Sequence, residues 1–549
     1  MASSPAWRAA ALARLSHEVF DVLVVGGGAT GAAVARDAAL RGLAVGLCER
    51  GDFAGETSSQ SSKLLHGGLR YLEQGNFSLV FEALAERALL MRTAPHLCRP
   101  IEFLFPAYRG EDPSLAKLAA GVALYDALAL WRPPVASRRL APRDAYAVVP
   151  LMRSAGLTGA LGYVDCQTDD ARLVLETMLD AEAAGAAVVS YAPVDRPPPG
   201  VRGHIHRLTA RDQDSGQAFV IQARAVVNAT GPFSDSFRGE GRTLRPTLGA
   251  HVVFDASRLA TGGRAVVVRS PRDQRIMFTL PAGPRTLFGT TDTDWRPDAG
   301  DGPPAPGDTI GARSADVEYL LESARHAFPA AALGPDDVLS TFAGLRPLLA
   351  SDEANPSATS REHAIWLDRD GVLTVAGGKL TTMRRMGEET VDRLIELLAA
   401  RGLDRPLAAC STRTRPLPGG DGAASALAQH ELGADVRAHL VATYGARAGH
   451  VVALAAANPS LMERLCPELP TLRVEALFAI RQDHACEVED VLRRRLLLFR
   501  DDRAQGMGVA PAVADMLASE LEWSAPRRAR SLRAYEHAVA VSRAWRAHA

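Results

Sequence analysis

Residues 20–49, FDVLVVGGGATGAAVARDAALRGLAVGLCE, decide the fold of the first part of the chain. The segment 20–25 is short, apolar and rich in β-branched residues, as is typical of a buried parallel strand. A glycine turn and an alanine-rich helix follow, and Gly42 suits the position just after a helix end. A second apolar strand is predicted at 43–48. The stretch therefore predicts one complete βαβ unit within about 30 residues.

The glycine turn of this unit fits the pattern GxGxxG through Gly26, Gly28 and Gly31. The pattern alone is weak, but here it follows a strand, opens a helix and is followed by Glu49 at the end of the second strand. Gly26 allows the tight turn, Gly28 lets the backbone approach a pyrophosphate, and Gly31 permits close packing of helix and strand. Because a helix N-terminus binds phosphate and Glu49 can accept hydrogen bonds from ribose hydroxyls, we predict a dinucleotide site.

The fingerprint does not distinguish FAD from NAD. Its position near the N-terminus favours FAD as a resident cofactor. A second segment, AVVNATG at 225–231, is predicted to be a strand that runs into a turn of small residues. It is similar to the segment that returns to the FAD site in flavoproteins with two dinucleotide folds, so both observations favour FAD.

Composition restricts the class of protein. A chain of 549 residues suggests two or three domains, and its 47% hydrophobic and 23% charged residues are normal for a well-cored protein. A formal net charge of −1 argues against a nucleic-acid partner, so a small anionic substrate would need a local cluster of Arg or Lys. The six Cys include no CxxC pair and no His at a ligand spacing, which predicts reduced thiols and no metal site.

The pattern along the chain predicts how it is organised. Helices are expected at 77–95 and 114–131, and strands at 186–191, 219–228 and 248–254. Pro- and Gly-rich breaks fall at 193–200, 297–307 and 415–424, and after the last one the chain becomes helical and charged. No apolar run reaches the roughly 18–20 residues that span a bilayer, and no secretory signal is recognisable.

Four further motifs are more specific than the fingerprint. They are TSSQSSKLLHGGLRYL at 57–72, FGTTDT at 288–293, AGLRPL at 343–348 and AGGKLTTM at 376–383. Together with the βαβ unit they closely resemble the FAD-dependent glycerol-3-phosphate dehydrogenases, within the D-amino-acid-oxidase-like flavoproteins. The resemblance covers roughly residues 18–400 in the same order, and EDVLRRR at 489–495 is similar to part of that family's helical C-terminal domain.

The resemblance implies an α/β fold with a Rossmann-like FAD-binding domain, an antiparallel-sheet substrate (cap) domain and a C-terminal helical domain. We expect an N-terminal extension at 1–17, the FAD-dependent oxidoreductase region at 18–404 and the helical domain at 405–549. Within 18–404, the FAD domain is expected from about 18–100, 160–245 and 340–404. The cap domain is expected from about 101–159 and 246–339.

The fingerprint and the resemblance together predict the FAD contacts. The Ser-rich loop suits the pyrophosphate and ribityl chain, and the glycine pairs of the HGG and GGK segments suit the two sides of a flat ring. N–H groups at the start of the second segment can stabilise negative charge on the reduced flavin. The expected contacts are Gly26, Gly28, Thr30, Gly31, Glu49, Thr57, Ser58, Ser59, Ser62, Lys63, His66, Gly67, Gly68, Val194, Ala229, Gly231, Asp292, Gly378, Lys379, Leu380 and Thr381.

The resemblance implies oxidation of sn-glycerol 3-phosphate to dihydroxyacetone phosphate by hydride transfer from C2 to N5 of FAD. A phosphorylated polyol must be held by its phosphate, for which the planar fork of Arg is suited. The expected substrate-binding residues are Arg70, Tyr71, Arg346, Arg361 and Thr381.

A general base should take the proton of the C2 hydroxyl, and His is the natural choice at neutral pH. His66 and His251 both lie in family-like segments; we favour His251 as the base and place His66 beside the ring or the substrate. Arg346 and Lys379 complete the predicted catalytic set, the lysine for a substrate hydroxyl or the flavin.

Two positions depart from the family pattern. The family usually has Ser-Lys-Gly-x-His before its second His, whereas this chain has Leu248 in place of the Lys. The family usually has an aromatic residue two positions after Arg361, whereas this chain has His363. Both bear on the choice between glycerol 3-phosphate and a related phosphorylated polyol, and neither bears on FAD.

The resemblance favours a membrane quinone as the electron acceptor. It implies a peripheral protein on the cytoplasmic face of the membrane and a homo-oligomer, expected to be a dimer. The segment 114–131, with Trp131 and the cluster Arg132, Arg138 and Arg139 after it, has the apolar face and cationic edge of an interfacial helix. An ordinary helix packed on the core would have the same pattern. An oxygen-reducing oxidase and a non-catalytic flavin-binding protein remain the alternatives.

Overall fold

The computed structural model describes residues 4–73, 75–130, 137–196, 205–238, 243–295, 310–350, 362–423 and 425–548. The strands are β1 (Val19–Val25), β2 (Val45–Cys48), β3 (Leu64–Leu65), β4 (Arg99–Tyr108), β5 (Arg138–Leu140), β6 (Leu157–Gln167), β7 (Ala187–Val189), β8 (His206–Arg211), β9 (Ala218–Asn228), β10 (Thr247–Asp255), β11 (Ala265–Arg269), β12 (Ile276–Ala282), β13 (Arg285–Gly289), β14 (Thr293–Asp294), β15 (Ser340–Arg346), β16 (His363–Leu367) and β17 (Leu373–Gly377). The helices are α1 (Ser4–His17), α2 (Ala29–Leu40), α3 (Arg70–Glu73), α4 (Phe77–Thr93), α5 (Leu115–Leu128), α6 (Pro142–Val148), α7 (Asp170–Ala183), α8 (Ser234–Arg238), α9 (Ser314–Ala327), α10 (Met383–Ala400), α11 (Ala434–Tyr444), α12 (Ala448–Ala453), α13 (Arg473–Gln482), α14 (Leu498–Asp501), α15 (Ala510–Glu520) and α16 (Ala525–Arg543).

The first sheet carries the predicted βαβ unit. Its strand order is β16-β17-β9-β1-β2-β7, and β8 pairs with β9. β1 pairs in parallel with β2 and β9, and Val22 and Val24 are fully buried against α2, α7 and α10. A strand buried on both faces has no polar side, which explains why 20–25 lacks the alternation of an exposed strand. The Rossmann-like domain predicted from the sequence is confirmed.

The second sheet is the expected cap. Its order is β14-β10-β13-β12-β11-β4-β6-β3, with β15 on β10 and β5 on β6. Its pairs are antiparallel except for β4 with β11. Helix α5 packs on one face of this sheet and α9 on the other. The face beneath α5 also carries the side chains that border the central cavity.

The chain after 424 is helical, as the sequence predicts. Helices α11–α16 and a π-helix, Asp490–Arg495, form two apolar cores of their own. Two residues, Arg464 and Leu472, form an isolated β-bridge in this region. No helix among the described residues is both long and apolar enough to cross a membrane.

The structure distributes some segments differently from the boundaries expected above. β6 spans 157–167 and β15 spans 340–346, and both lie in the second sheet because they pair with β4 and β10. Most of these residues fall within 160–245 and 340–404, the segments expected for the FAD domain. Helix α1, at the expected N-terminal extension, packs on the first sheet through Leu15, which is fully buried against β2 and β9.

Candidate active site

A cavity of about 620 Å³ lies between the two sheets, at the carboxyl end of β1. The predicted site residues that line it are Gly26, Gly28, Thr30, Glu49, Thr57, Ser58, Ser62, His66, Gly68, Tyr71, Val194, Ala229, Gly231, His251, Arg346, Gly378, Lys379, Leu380 and Thr381. Gly31, Ser59, Lys63, Gly67 and Asp292 lie just behind this wall. The side chain of Arg70 and the whole of Arg361 fall outside the described residues.

The glycines of the fingerprint are required by space as well as by conformation. Gly26 has φ of 110°, and a Cβ there would lie 2.6 Å from the carbonyl oxygen of Ala229. A Cβ at Gly31 would overlap the carbonyl oxygen of Gly26, so the helix could not approach the turn. Glu49 accepts hydrogen bonds from the backbone N–H groups of Gly27 (2.6 Å) and Gly51 (2.8 Å). Desolvation raises the pKa of Glu49, and these two hydrogen bonds oppose that rise.

This end of the cavity therefore fits the ADP half of FAD. Gly28, Ala29 and Thr30, at the start of α2, border the cavity, and the N-terminal end of a helix is suited to a pyrophosphate. Ser58 accepts a hydrogen bond from the N–H of Ala29 at 2.9 Å and so fixes the Ser-rich loop against this turn. Arg50 lies over the ring of Phe233 at 3.7 Å from its centroid, and both residues line the cavity.

Two glycine-rich loops meet at the other end of the cavity. Gly377 and Gly378 both have positive φ, 83° and 82°, and a side chain at Gly68 would overlap the ring of Tyr71. The hydroxyl of Thr381 accepts a hydrogen bond from the N–H of His66 at 3.1 Å, which ties the two loops together. Gly68, Gly378 and Lys379 line the cavity, so the two loops border the space in which a flat isoalloxazine ring would fit.

A cluster of two guanidinium groups around one carboxylate lies beside this gap. Arg346 donates from Nη1 to Asp292 (2.7 Å) and to the carbonyl of Thr291 (2.9 Å), and from Nη2 to the hydroxyl of Thr290 (3.0 Å). Arg275 donates to the other oxygen of Asp292 at 2.8 Å. The Asp292 side chain is fully buried, so both arginines are held in fixed orientations. Two positive charges face one negative charge, which leaves a net positive pole suited to an anion.

His251 borders the same pole. Its Nε2 lies 2.9 Å from the hydroxyl oxygen of Ser62, and its ring stacks on Phe342 at 4.6 Å between centroids. Nδ1 has no hydrogen-bond partner among the described residues. Burial, together with the charges of Arg346 and Lys63, holds the pKa of His251 well below its ordinary value. The imidazole is therefore neutral at physiological pH and able to accept a proton.

Two of the other predicted catalytic residues line the cavity in different surroundings. The ammonium group of Lys379 lies 4.0 Å from the centre of the Tyr71 ring, in a cation–π contact. His66 makes an edge-on contact with Phe278, with 6.3 Å between ring centroids. His66 thus lies beside the apolar part of the wall, whereas His251 lies beside the arginines.

Several predicted residues support the wall rather than form it. Lys63 makes a buried ion pair with Asp170 at 2.5 Å, so its charge is directed away from the cavity. The N–H of Gly67 donates to the hydroxyl of Tyr125 at 2.8 Å, and that hydroxyl donates to Asp165. Asp292 orients the two arginines described above. A direct contact of Lys63, Gly67 or Asp292 with FAD stays a prediction. In the described structure these three residues hold other residues of the wall in position.

The two departures from the family pattern lie away from the cavity. Leu248 is fully buried in the core on the α9 side of the second sheet, opposite the face that carries Gly249 and His251. His363 is paired with Glu389, with Nε2 and Oε2 2.8 Å apart. Neither residue lines the cavity, so neither departure alters its wall directly.

Arg275 is not among the site residues predicted from the sequence. The chain has 62 Lys and Arg, and no motif marks this one. The signal was present in the hairpin of β12 and β13, in which Ala282 pairs with Arg285 and Phe278 with Gly289. If that register is continued, Arg275 falls opposite Asp292. A hairpin prediction for 276–289 would therefore have found the second arginine.

Comparison with known proteins agrees with this geometry. Residues 21–393 match the family described as FAD dependent oxidoreductase, and residues 410–528 match the C-terminal domain of alpha-glycerophosphate oxidase. A Glycerol-3-phosphate dehydrogenase 2 from Mycobacterium tuberculosis is 38% identical over 541 residues, 95% of this chain and 88% of that protein. A glycerol-3-phosphate dehydrogenase from Synechocystis is 34% identical over 93% of this chain and 94% of its own length.

Solved structures give the same result. The glycerol-3-phosphate dehydrogenase from Bacillus halodurans, complexed with FAD, superposes with a TM-score of 0.78 at 30% identity. The superposition covers 99% of this chain and 98% of the Bacillus halodurans chain. An L-alpha-glycerophosphate oxidase from Mycoplasma pneumoniae, at 17% identity, shares the fold over 73% of this chain. The chain belongs to the family of FAD-dependent glycerol-3-phosphate dehydrogenases.

Proposed function

We propose that the protein oxidises sn-glycerol 3-phosphate to dihydroxyacetone phosphate and passes the electrons to a membrane quinone. The observation that carries the substrate proposal is the pair Arg346 and Arg275, held on the buried Asp292 beside a neutral His251. A three-carbon polyol with a terminal phosphate needs an anion site and a proton acceptor within a few ångströms of each other, and this pole provides both.

Each residue of the pole has a defined part in the reaction. Arg346 and Arg275 bind the phosphate and so fix the carbon chain in the gap between the glycine loops. The Ser62 hydroxyl is hydrogen-bonded to His251 and holds its ring in place, while the imidazole takes the proton of the C2 hydroxyl. FAD, when bound between the two loops, supplies the acceptor for the hydride of C2. Lys379 and Leu380 line the cavity, and their backbone N–H groups would stabilise negative charge on the reduced flavin.

The opposite wall of the cavity supports an apolar electron acceptor. Phe105, Val267, Ile276 and Phe278, together with Tyr163, line this part of the wall. These residues come from the cap sheet beneath α5 and offer an apolar surface suited to a quinone ring. Oxygen needs no such surface, which is why we favour the quinone over oxygen.

Peripheral attachment to a membrane is supported by an exposed apolar patch on α4 and α5. Leu124 and Leu130 are 40% and 52% exposed, and Phe77 and Phe81 at the start of the neighbouring helix α4 are similarly exposed. Lys117 on α5 is exposed and pairs with the exposed Asp112 at 2.7 Å, so it adds no net charge to the patch. Trp131 and Arg132 fall outside the described residues. An exposed apolar patch of this kind suits the interface of a bilayer.

The acceptor can be tested with anionic-lipid vesicles that contain a quinone. With glycerol 3-phosphate as donor, we expect the protein to reduce the quinone and to produce little peroxide. The double substitution Leu124→Gln, Leu130→Gln is expected to weaken vesicle binding and quinone reduction together. It should leave FAD content and the reduction of a water-soluble dye unchanged, because neither leucine borders the cavity.

Leu367 provides the matched control, since it is an equally exposed leucine (51%) on β16, in the other sheet. Leu367→Gln should affect neither vesicle binding nor quinone reduction. Stoichiometric peroxide production without quinone reduction would replace the quinone proposal with an oxidase. Equal vesicle binding by all variants would show that the apolar patch does not attach the protein to the membrane.

A further inference from the structure

The basic segment near the end of the chain is buried. The charge pattern of EDVLRRR at 489–495 is typical of a solvated or an interdomain face. The segment forms the π-helix Asp490–Arg495, and two of its arginines contact Asp52 in the FAD-binding region, as an interdomain face would. Arg494 and Arg495 are only 5% and 2% exposed. Both point to one carboxylate, Asp52. Nε of Arg494 donates to it at 2.5 Å, and Arg495 donates through Nη1 and Nη2 to its two oxygens, each at 2.8 Å.

Asp52 belongs to the loop that lies directly behind the dinucleotide turn. The N–H of Ala54 donates to the carbonyl of Gly27 at 3.0 Å. The Phe53 ring packs so closely on Gly27 that a Cβ there would lie 2.7 Å from it. Glu49, three residues before Asp52, is hydrogen-bonded to the N–H groups of Gly27 and Gly51. The loop therefore sets the position of the turn and of the carboxylate expected to bind the ribose.

The C-terminal helices hold the same loop through a second contact. The hydroxyl of Tyr191 donates to Asp490 at 2.6 Å, and the N–H of Tyr191 donates to the carbonyl of Gly51 at 2.9 Å. Nη2 of Arg494 donates to Asp490 at 2.6 Å. Burial alone would raise the pKa of Asp52, but the charges of Arg495 and Arg494 hold that pKa below its ordinary value. The carboxylate is thus ionised, and its charge is compensated only by residues of the C-terminal domain among its described contacts.

We propose that the C-terminal helical domain retains FAD, through Arg494 and Arg495 acting on Asp52. Neither arginine lines the cavity, so both are positioning residues rather than cofactor ligands. They fix 51–55, and 51–55 fixes Gly27 and Glu49 against the ADP half of the cofactor. Without both arginines the buried carboxylate of Asp52 would be uncompensated, which is strongly destabilising. The loop at 51–55 would then move toward solvent and lose its contacts with the turn at Gly27.

The chain contains a matched control for general loss of interdomain contact. Arg447, also in the C-terminal domain, donates to Glu176 (2.6 Å) and to Asp483 (2.7 Å) in a similarly buried ion cluster. That cluster joins the C-terminal domain to α7, and none of the side chains of Arg447, Glu176 and Asp483 contacts the loop at 51–55 among the described residues. It meets the Arg495 contact only at the backbone carbonyl of Asp483, which accepts from Nε of Arg495 at 3.0 Å and does not depend on the Arg447 side chain. If the C-terminal domain only stabilised the fold, substitutions in the two clusters would affect FAD release equally. If Arg494 and Arg495 act on the loop at 51–55, only substitutions in their cluster should speed the release.

The test measures the release of FAD from purified holoenzyme on dilution, followed by the fluorescence of the free flavin. Asp52→Asn is expected to speed FAD release roughly tenfold. A change of this size is typical when a packed network couples a substituted residue to a site that the residue does not contact. Arg495→Lys keeps the charge but loses the two-pronged geometry, so it should speed release to a smaller degree. Arg447→Lys should lower the temperature of unfolding without changing the release rate.

Unchanged release from Asp52→Asn would overturn the proposal, and so would equal acceleration by Arg495→Lys and Arg447→Lys at equal losses of thermal stability. If Asp52→Asn does not yield folded protein, the comparison of the two lysine variants decides the question alone.

Discussion

Arg346→Ala is expected to raise KM for glycerol 3-phosphate roughly a hundredfold while FAD remains bound. The guanidinium is fixed by Asp292 and Thr290 and faces the cavity, so its loss removes about 3 kcal/mol of charge-assisted hydrogen bonding to the phosphate. Asp292 keeps Arg275 as its partner, which limits the structural damage. Steady-state kinetics with a water-soluble electron acceptor, together with the flavin absorbance of the purified variant, measure both quantities.

A second variant reaches the same group without removing it. The Arg346 guanidinium lies directly over Gly249, and a Cβ at that position would overlap it. Gly249→Ala should therefore raise KM as well, by less than the alanine substitution of Arg346. Loss of FAD from Arg346→Ala would show that the assignment of this arginine to the phosphate is wrong. The same conclusion would follow if the variant preferred glycerol 3-phosphate over glycerol as strongly as the wild type does.

His251→Asn is expected to lower kcat by roughly a hundred- to ten-thousandfold, the contribution typical of a positioned general base. Asparagine retains a polar group near Ser62, so the variant should fold and bind FAD. The rate of flavin reduction after anaerobic mixing isolates the affected step. Equal losses in His66→Asn and His251→Asn would leave the base unassigned to either residue, and a loss in His66→Asn alone would reverse the assignment made above.

The pH dependence of the wild-type enzyme checks the same residue. A base must be neutral to act, so the rate of flavin reduction at saturating substrate falls as the pH drops through the pKa of the base. Because burial and the nearby cations lower the pKa of His251, this fall should begin clearly below pH 6.5, the ordinary value for histidine. Saturation removes the titration of the phosphate of the free substrate, so an acidic limb of this rate centred at or above pH 6.5 would contradict the environment described for His251.

The dinucleotide end of the site is predictable from the sequence because its contacts are local. Gly26, Gly28 and Gly31 lie within one turn, and Glu49 closes the next strand, so their spacing alone places them together. The strands predicted at 219–228 and 248–254 are found at 218–228 and 247–255. Each contains a run of apolar residues that is long enough to indicate a buried strand.

The anion pole and the C-terminal contacts are harder to predict because they depend on pairings between distant segments. Lys63 lies in a motif of the cavity wall, but its charge is taken up by Asp170, more than a hundred positions away. Arg494 and Arg495 have the charge pattern of a surface helix, and only the docking of the C-terminal domain shows that Asp52 neutralises them. Composition and periodicity carry no information about such partners.

Anaerobic mixing of the purified yellow protein with glycerol 3-phosphate, while the flavin absorbance is recorded, tests the proposed substrate directly. We expect rapid bleaching by glycerol 3-phosphate and none by glycerol or by sarcosine, because only the phosphate engages Arg346 and Arg275. Absence of bleaching in a protein loaded with FAD would contradict the assigned substrate while leaving the fold and the cofactor in place.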